Sequence, residues 1–197
     1  MVVKNVGFSG LFSKVSSIDP SRVKYDSQKT LSEKLSEHRN DDVGIKFSYP
    51  EEMLIYYYSP EEEKQNFEID NSLLPIDSIN FSLIPDLSEE GTEFHDGLNI
   101  RIVYYPYDQR LISPYIEDIL KNDGSEPYES VAKRDTLKEK AVIKESYCCY
   151  GGDTTTYHFF TKQNKYYVKL TVSFAGPDKD KFKVIAEKIL DSLEFID

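Results

Sequence analysis

Few residues in this chain are of types that carry chemistry. Its 197 residues include three histidines, His38, His95 and His158, and two cysteines, Cys148 and Cys149. The one grouping of metal-ligand types is Glu93, His95 and Asp96, with Glu89 and Glu90 upstream. Carboxylates and an imidazole suit zinc or a hard cation. In an extended segment Glu93 and His95 share a face while Asp96 points away, so Glu93 and His95 are the candidate metal ligands. The plainer alternative is a solvated loop ahead of Gly97. Cys148 and Cys149 are adjacent in a strand-like stretch, where neighbours point to opposite faces, so a disulfide between them would need a strained turn. One buried and one peripheral thiol is the expectation. No G-x-S-x-G elbow accompanies His158, which lies on the Thr156/Phe160 side of its alternating stretch and is expected at the sheet surface. Gly151-Gly152 reads as a hairpin turn, because no helix start follows to make a phosphate cradle. Glu51-Glu52 and Glu61-Glu62-Glu63 are loop runs, not carboxylates opposed across a cleft. No catalytic residue is assigned, and no cofactor is implied.

The tyrosines are the stronger lead. The chain holds 15 Tyr and 11 Phe but no Trp. Tyr56-Tyr57-Tyr58, Tyr104-Tyr105-Pro106-Tyr107 and Tyr166-Tyr167 place rings on both faces of their strands. Tyrosine suits contact surfaces because it buries a large area at low rotamer cost and keeps a polar end. Tyr57, Tyr105 and Tyr167 are the candidate interaction face. The alternative is that these rings pack on one another or under the N-terminal segment.

Charge narrows the partners. The net charge is −11, and residues 51–96 carry 13 acidic groups against Lys64 alone, net −12, so the rest of the chain is close to neutral. A nucleic-acid binder relying on backbone attraction is excluded. The acidic stretch reads either as a docking face for a basic protein partner, or weakly for a divalent cation, or as solvated loops. No unbroken apolar run approaches the roughly 18 residues of a membrane-spanning helix. The segment Met1–Ser17 lacks a continuous apolar signal region, so the chain is expected to be cytoplasmic as written, or extracytoplasmic if an export signal was removed upstream.

These residues need elements to position them. Residues 1–42 are read as an N-terminal tether or peripheral segment, with Asp26 capping a short helix to about Arg39, and residues 43–197 as the domain. Period-two alternation predicts strands at Ile45–Tyr49, with Met53–Tyr58 as its hairpin partner, then at Ile79–Leu83 and Leu98–Tyr104. It continues in Ala141–Cys149, Thr154–Phe160 and Tyr166–Phe174. In the last of these, Tyr166, Val168, Leu170, Val172 and Phe174 line one face. Helices are predicted over about 113–122, capped by Ser113 before Pro114, and about 178–193. The second carries Phe182, Ile185, Ala186, Ile189, Leu190 and Leu193 at i, i+3, i+4, i+7, i+8 and i+11. Strands outnumber helices without regular alternation, which predicts an α+β sandwich, an antiparallel sheet with one face covered by helices.

Four segments resemble the PsbP-like (PsbP/Mog) family across about residues 43–197. They are Gly44-Ile45-Lys46-Phe47-Ser48-Tyr49-Pro50, and Leu98-Asn99-Ile100-Arg101-Ile102-Val103 followed by Ile112 to Lys121. The others are the meander Ala141–Tyr150, Thr154–Phe160 and Tyr166–Phe174, and Ile185–Phe195 with its Ile189-Leu190-Asp191-Ser192-Leu193-Glu194-Phe195 finish. The resemblance implies a PsbP/Mog-like sandwich and a non-enzymatic role. Family members include extrinsic photosystem II subunits, a Ran-binding import factor, envelope lipoproteins and effector chaperones. A protein-binding or assembly accessory module is the function expected. A small-molecule or lipid carrier with a pocket between sheet and helices is the alternative, and a metal-dependent enzyme using Glu93 and His95 stands behind both.

Overall fold

The alternating segments form two antiparallel sheets in the computed structural model, which describes residues 34–60, 73–83, 97–121, 130–149 and 152–196. The strands are β1 (Leu35–Asn40), β2 (Ile45–Pro50), β3 (Leu54–Tyr58), β4 (Asp77–Leu83) and β5 (Gly97–Pro106). After helix α1 (Gln109–Ile119) come β6 (Val131–Leu137), β7 (Lys140–Cys149), β8 (Gly152–Thr161) and β9 (Tyr166–Ala175). Helix α2 (Lys179–Asp191) and the short β10 (Glu194–Phe195) close the chain's fold. The sheet orders are β1-β2-β10 and β3-β4-β5-β9-β8-β7-β6, and the architecture is α+β.

The main core fills the space between the two sheets and α2. Ile79 and Phe81 of β4, Ile100 and Ile102 of β5, and Leu170 and Val172 of β9 meet Ile45 and Phe47 of β2. Phe182, Ala186, Ile189 and Leu193 close over them at the helical spacing read from the sequence, all buried. Each large apolar side chain so placed contributes roughly 1.5–3 kcal/mol.

The opposite face of the large sheet is not bare, as one-sided alternation had predicted. Helix α1 lies on it, packing Ile112 with Leu73, Val103, Tyr105 and Tyr167 into a second apolar cluster. The helix starts four residues before the predicted Ser113-Pro114 cap. Asp108 supplies the cap instead, accepting the Arg110 N–H at 2.9 Å, while the Arg110 guanidinium returns to the same carboxylate at 2.8 Å. Pro114 therefore sits inside the helix, where the missing N–H removes one bond of the ladder.

Three further segments differ from expectation. Residues 35–40 are a strand, not the end of a helix, and pair with β2 along their whole length, so the sheet begins before Val43. Their inward positions are Ser36, His38 and Asn40, while Leu35 is exposed. Strand β3 is not the hairpin partner of β2; a turn from Pro50 to Met53 carries it into the other sheet beside β4. Strand β6 was not expected, because VAKRDTL is too polar to alternate visibly. The β1–β2 turn explains Gly44: its φ is +85°, and a Cβ there would collide with the Ile196 carbonyl and the Lys162 side chain.

Candidate functional site

Register across the large sheet fixes what the outer face presents. Ser82, Asn99, Ser173, Thr154 and Tyr147 stand side by side across five strands. The next row is Tyr56, Asn80, Arg101, Thr171, Thr156 and Glu145. Beyond it lie Tyr58, Ser78, Val103, Lys169 and His158, then Tyr105, Tyr167 and Phe160. Helix α1 covers the last of these rows, so the face divides into a roofed apolar end and a polar end that no described residue covers.

Under the roof, a buried hydrogen-bonded chain runs across three strands. His158 is 2% exposed and fully buried Tyr167 lies beside it. His158 Nε2 lies 3.2 Å from Glu145 Oε2, and Nδ1 lies 2.6 Å from the Tyr167 hydroxyl. With Nε2–H donating to the carboxylate, Nδ1 of the neutral ring accepts the Tyr167 O–H. Ser130 donates to the other carboxylate oxygen of Glu145. The His158 hydrogen bond, aided by Ser130, holds the Glu145 carboxyl below its ordinary value against the opposing effect of burial. The Tyr115 ring of α1 meets His158 edge-on at 6.1 Å. The expected surface position of His158 is thus corrected: its strand face was read rightly, but α1 roofs that face. Serine, glutamate and histidine are together here, yet the serine hydroxyl rests on the carboxylate rather than on the imidazole. That order satisfies buried polar groups and does not activate a nucleophile.

The polar end holds a groove of about 420 Å³. Asn80, Asn99, Ser82, Ser173 and Thr154 form its floor, with Tyr56 and Tyr58 at one side and Tyr147 at the other. Asn80 is 7% exposed, and its Oδ1 is buried with no hydrogen-bond partner among the described residues. The Arg101 guanidinium lies 5.7 Å from the centre of the Tyr58 ring. Sequence reading passed over Asn80 and Asn99, although both occupy the polar positions of alternating strands.

The three tyrosines singled out from sequence do not meet. Tyr57 is exposed, but pairs with Ile79 and so belongs to the α2 side of the sheet. Tyr105 and Tyr167 are buried on the other side, their rings 5.7 Å apart beneath α1. A common face of Tyr57, Tyr105 and Tyr167 is therefore absent, because strand parity separates the first from the other two. Glu93 and His95 lie outside the described residues. Among the described residues no group of three or more His, Cys, Asp or Glu is placed to hold a metal. Cys148 is an exposed free thiol. The space among Phe47, Ile100, Leu170, Ile189 and Leu193, between sheet and α2, is about 10 Å³, no more than a single water requires.

The sheet's two edges differ. At one end β6 carries Lys133, Arg134 and Asp135. At the other, β3 reads Leu54-Ile55-Tyr56-Tyr57-Tyr58, without a charge or a proline. Ile55 and Tyr57 of β3 are exposed, the second at 60%, as are Leu74 and Ile76 in the segment leading into β4.

No family model matches the chain, and no curated protein matches it. Among solved structures, the cyanobacterial PsbP (CyanoP) of Synechocystis sp. PCC 6803 is similar at 10% identity and TM-score 0.49, covering 88% of this chain and 98% of that one. The Ran-binding protein Mog1p of Saccharomyces cerevisiae is similar at 10% identity and TM-score 0.41, covering 84% of this chain and 97% of that one.

Proposed function

We propose that the chain is a non-catalytic accessory module that binds a protein partner along the edge of β3 that no other strand among the described residues pairs with. The observation that carries this reading is the contrast between the two edges of one sheet. Exposed edges invite pairing with other chains, and charged residues or proline normally blunt them. Strand β6 is blunted in that way, whereas β3 offers an uncharged edge with Ile55 and Tyr57 exposed. A partner strand added there gains main-chain hydrogen bonds for affinity and side-chain contacts for specificity. Residues 51–96, which include β3, hold essentially all the excess negative charge, which favours approach by a basic partner. The geometry around His158, with Ser130 turned to Glu145, supports a structural role for that cluster rather than catalysis.

The test is quantitative affinity capture with the full chain and with an Ile55→Lys/Tyr57→Lys variant, which puts the missing charges on the edge. The expected result is loss of the wild-type partners by this variant and their retention by a Lys133→Ile control on β6. Identical capture by wild type and the β3 variant, with equal salt dependence, would refute the reading.

A further inference from the structure

We infer that the groove at the polar end of the outer sheet face is a binding site for a neutral saccharide, which uses the Tyr56 and Tyr58 side chains of β3 but not the main-chain edge of that strand. The groove's lining includes the uncharged amides and hydroxyls of Asn80, Asn99, Ser82, Ser173 and Thr154, together with Asp153, whose carboxylate lies 3.9 Å from Lys179 Nζ. Its sides are the rings of Tyr56, Tyr58 and Tyr147. Its volume of about 420 Å³ lies within the range that small ligands occupy.

The chemistry of the ligand follows by elimination. Asn80 Oδ1 is buried and accepts no hydrogen bond among the described residues, so the group that completes the site brings a donor. An anion is disfavoured because it offers acceptors to an acceptor, on a protein of net charge −11. A cation is disfavoured because Arg101 is the register neighbour of Asn80 and already lies over Tyr58, while the groove's carboxylate, Asp153, already faces Lys179. A wholly apolar ligand would strand the amides of the floor without hydrogen bonds. What remains is an uncharged molecule with several hydroxyl donors and an apolar face to lie on a ring. A sugar has both: its C–H face rests on tyrosine while its hydroxyls reach Asn80 and Asn99.

The assay is an NMR titration of the full chain with cellotriose, maltotriose and chitotriose, reading the side-chain amides of Asn80 and Asn99. A peptide of glycine and serine and the polyamine spermidine serve as the neutral and cationic comparisons. Saturable shifts of both amides with at least one sugar are expected, with affinity weakened roughly tenfold or more in Asn80→Leu. Removal of a buried carbonyl that has no partner among the described residues leaves the thermal midpoint of that variant undiminished. Tyr147→Ala, at a partly exposed position, weakens binding in the same direction and serves should Asn80→Leu fold poorly. Absence of saturable shifts with all three sugars overturns the inference. Equal response to the peptide or to spermidine, or unchanged affinity in both variants, does so too. None of these results touches the β3 edge, whose capture experiment succeeds or fails on its own.

Discussion

Lowering the pH should destabilise the fold through His38. Its ring lies on β1 between Phe47 and Phe81, with centroids at 5.1 and 5.4 Å, and its Nε2 lies 3.1 Å from the Tyr104 hydroxyl. Burial of Tyr104 raises its phenol well above the ordinary value, so that hydroxyl keeps its proton and donates it to the neutral imidazole. Burial lowers His38 from 6.5 to about 4. Between these values the unfolded chain holds a proton that the folded chain refuses, so stability falls as pH drops through this window and is level above it. At about pH 4.5 the two pKa values correspond to about 2.5 kcal/mol lost relative to neutral pH, and partial exposure of the ring reduces this to about 2 kcal/mol. Urea unfolding of the full chain at about pH 7.5 and about pH 4.5, in wild type and His38→Gln, measures it. The carboxyl of Glu145, held low, also loses its contribution in acid, but it is common to both proteins and cancels in the difference. The stability gap between wild type and variant should narrow by about 2 kcal/mol on acidification. A gap that stays constant, or widens, would show that His38 is not held neutral between the two rings.

Two substitutions probe other joints of the structure. His158→Leu should cost about 2–4 kcal/mol in urea unfolding, because it leaves the Glu145 carboxylate and the Tyr167 hydroxyl without their shared partner; a loss below about 0.5 kcal/mol would contradict the hydrogen-bonded chain. Gly44→Ala should lower the thermal midpoint, with a cost of about 1–3 kcal/mol, because φ is +85° and the added carbon meets the Ile196 carbonyl; an unchanged midpoint would mean that the β1–β2 turn is built otherwise.

What the sequence disclosed depended on how strongly each segment's pattern announced itself. Phe182, Ala186, Ile189 and Leu193 recur at helical spacing and are buried as that spacing demands. Val168, Leu170 and Val172 alternate cleanly and line the same core. In β1 the inward residues are Ser36, His38 and Asn40, so no apolar alternation marks the strand, and Leu35 misleads by facing solvent. Helix α1 was visible as a helix, but sequence periodicity says only that one side is apolar, not which face of which sheet receives it. That missing fact hid the burial of Tyr105, Tyr167 and His158. The groove around Asn80 depends on register among six strands from distant parts of the chain, which no local spacing encodes. The contrast between β3 and β6 was not legible, because β6 was not read as a strand and only the strand order makes the two the edges of one sheet.

The most direct measurement of the proposed edge docking is amide hydrogen exchange on the full chain, free and bound to a partner recovered by capture. Strand addition predicts slowed exchange of backbone amides within Leu54–Tyr58, with β6 unchanged. Protection confined to β6, α1 or the outer groove, with Leu54–Tyr58 exchanging as in the free chain, would contradict it.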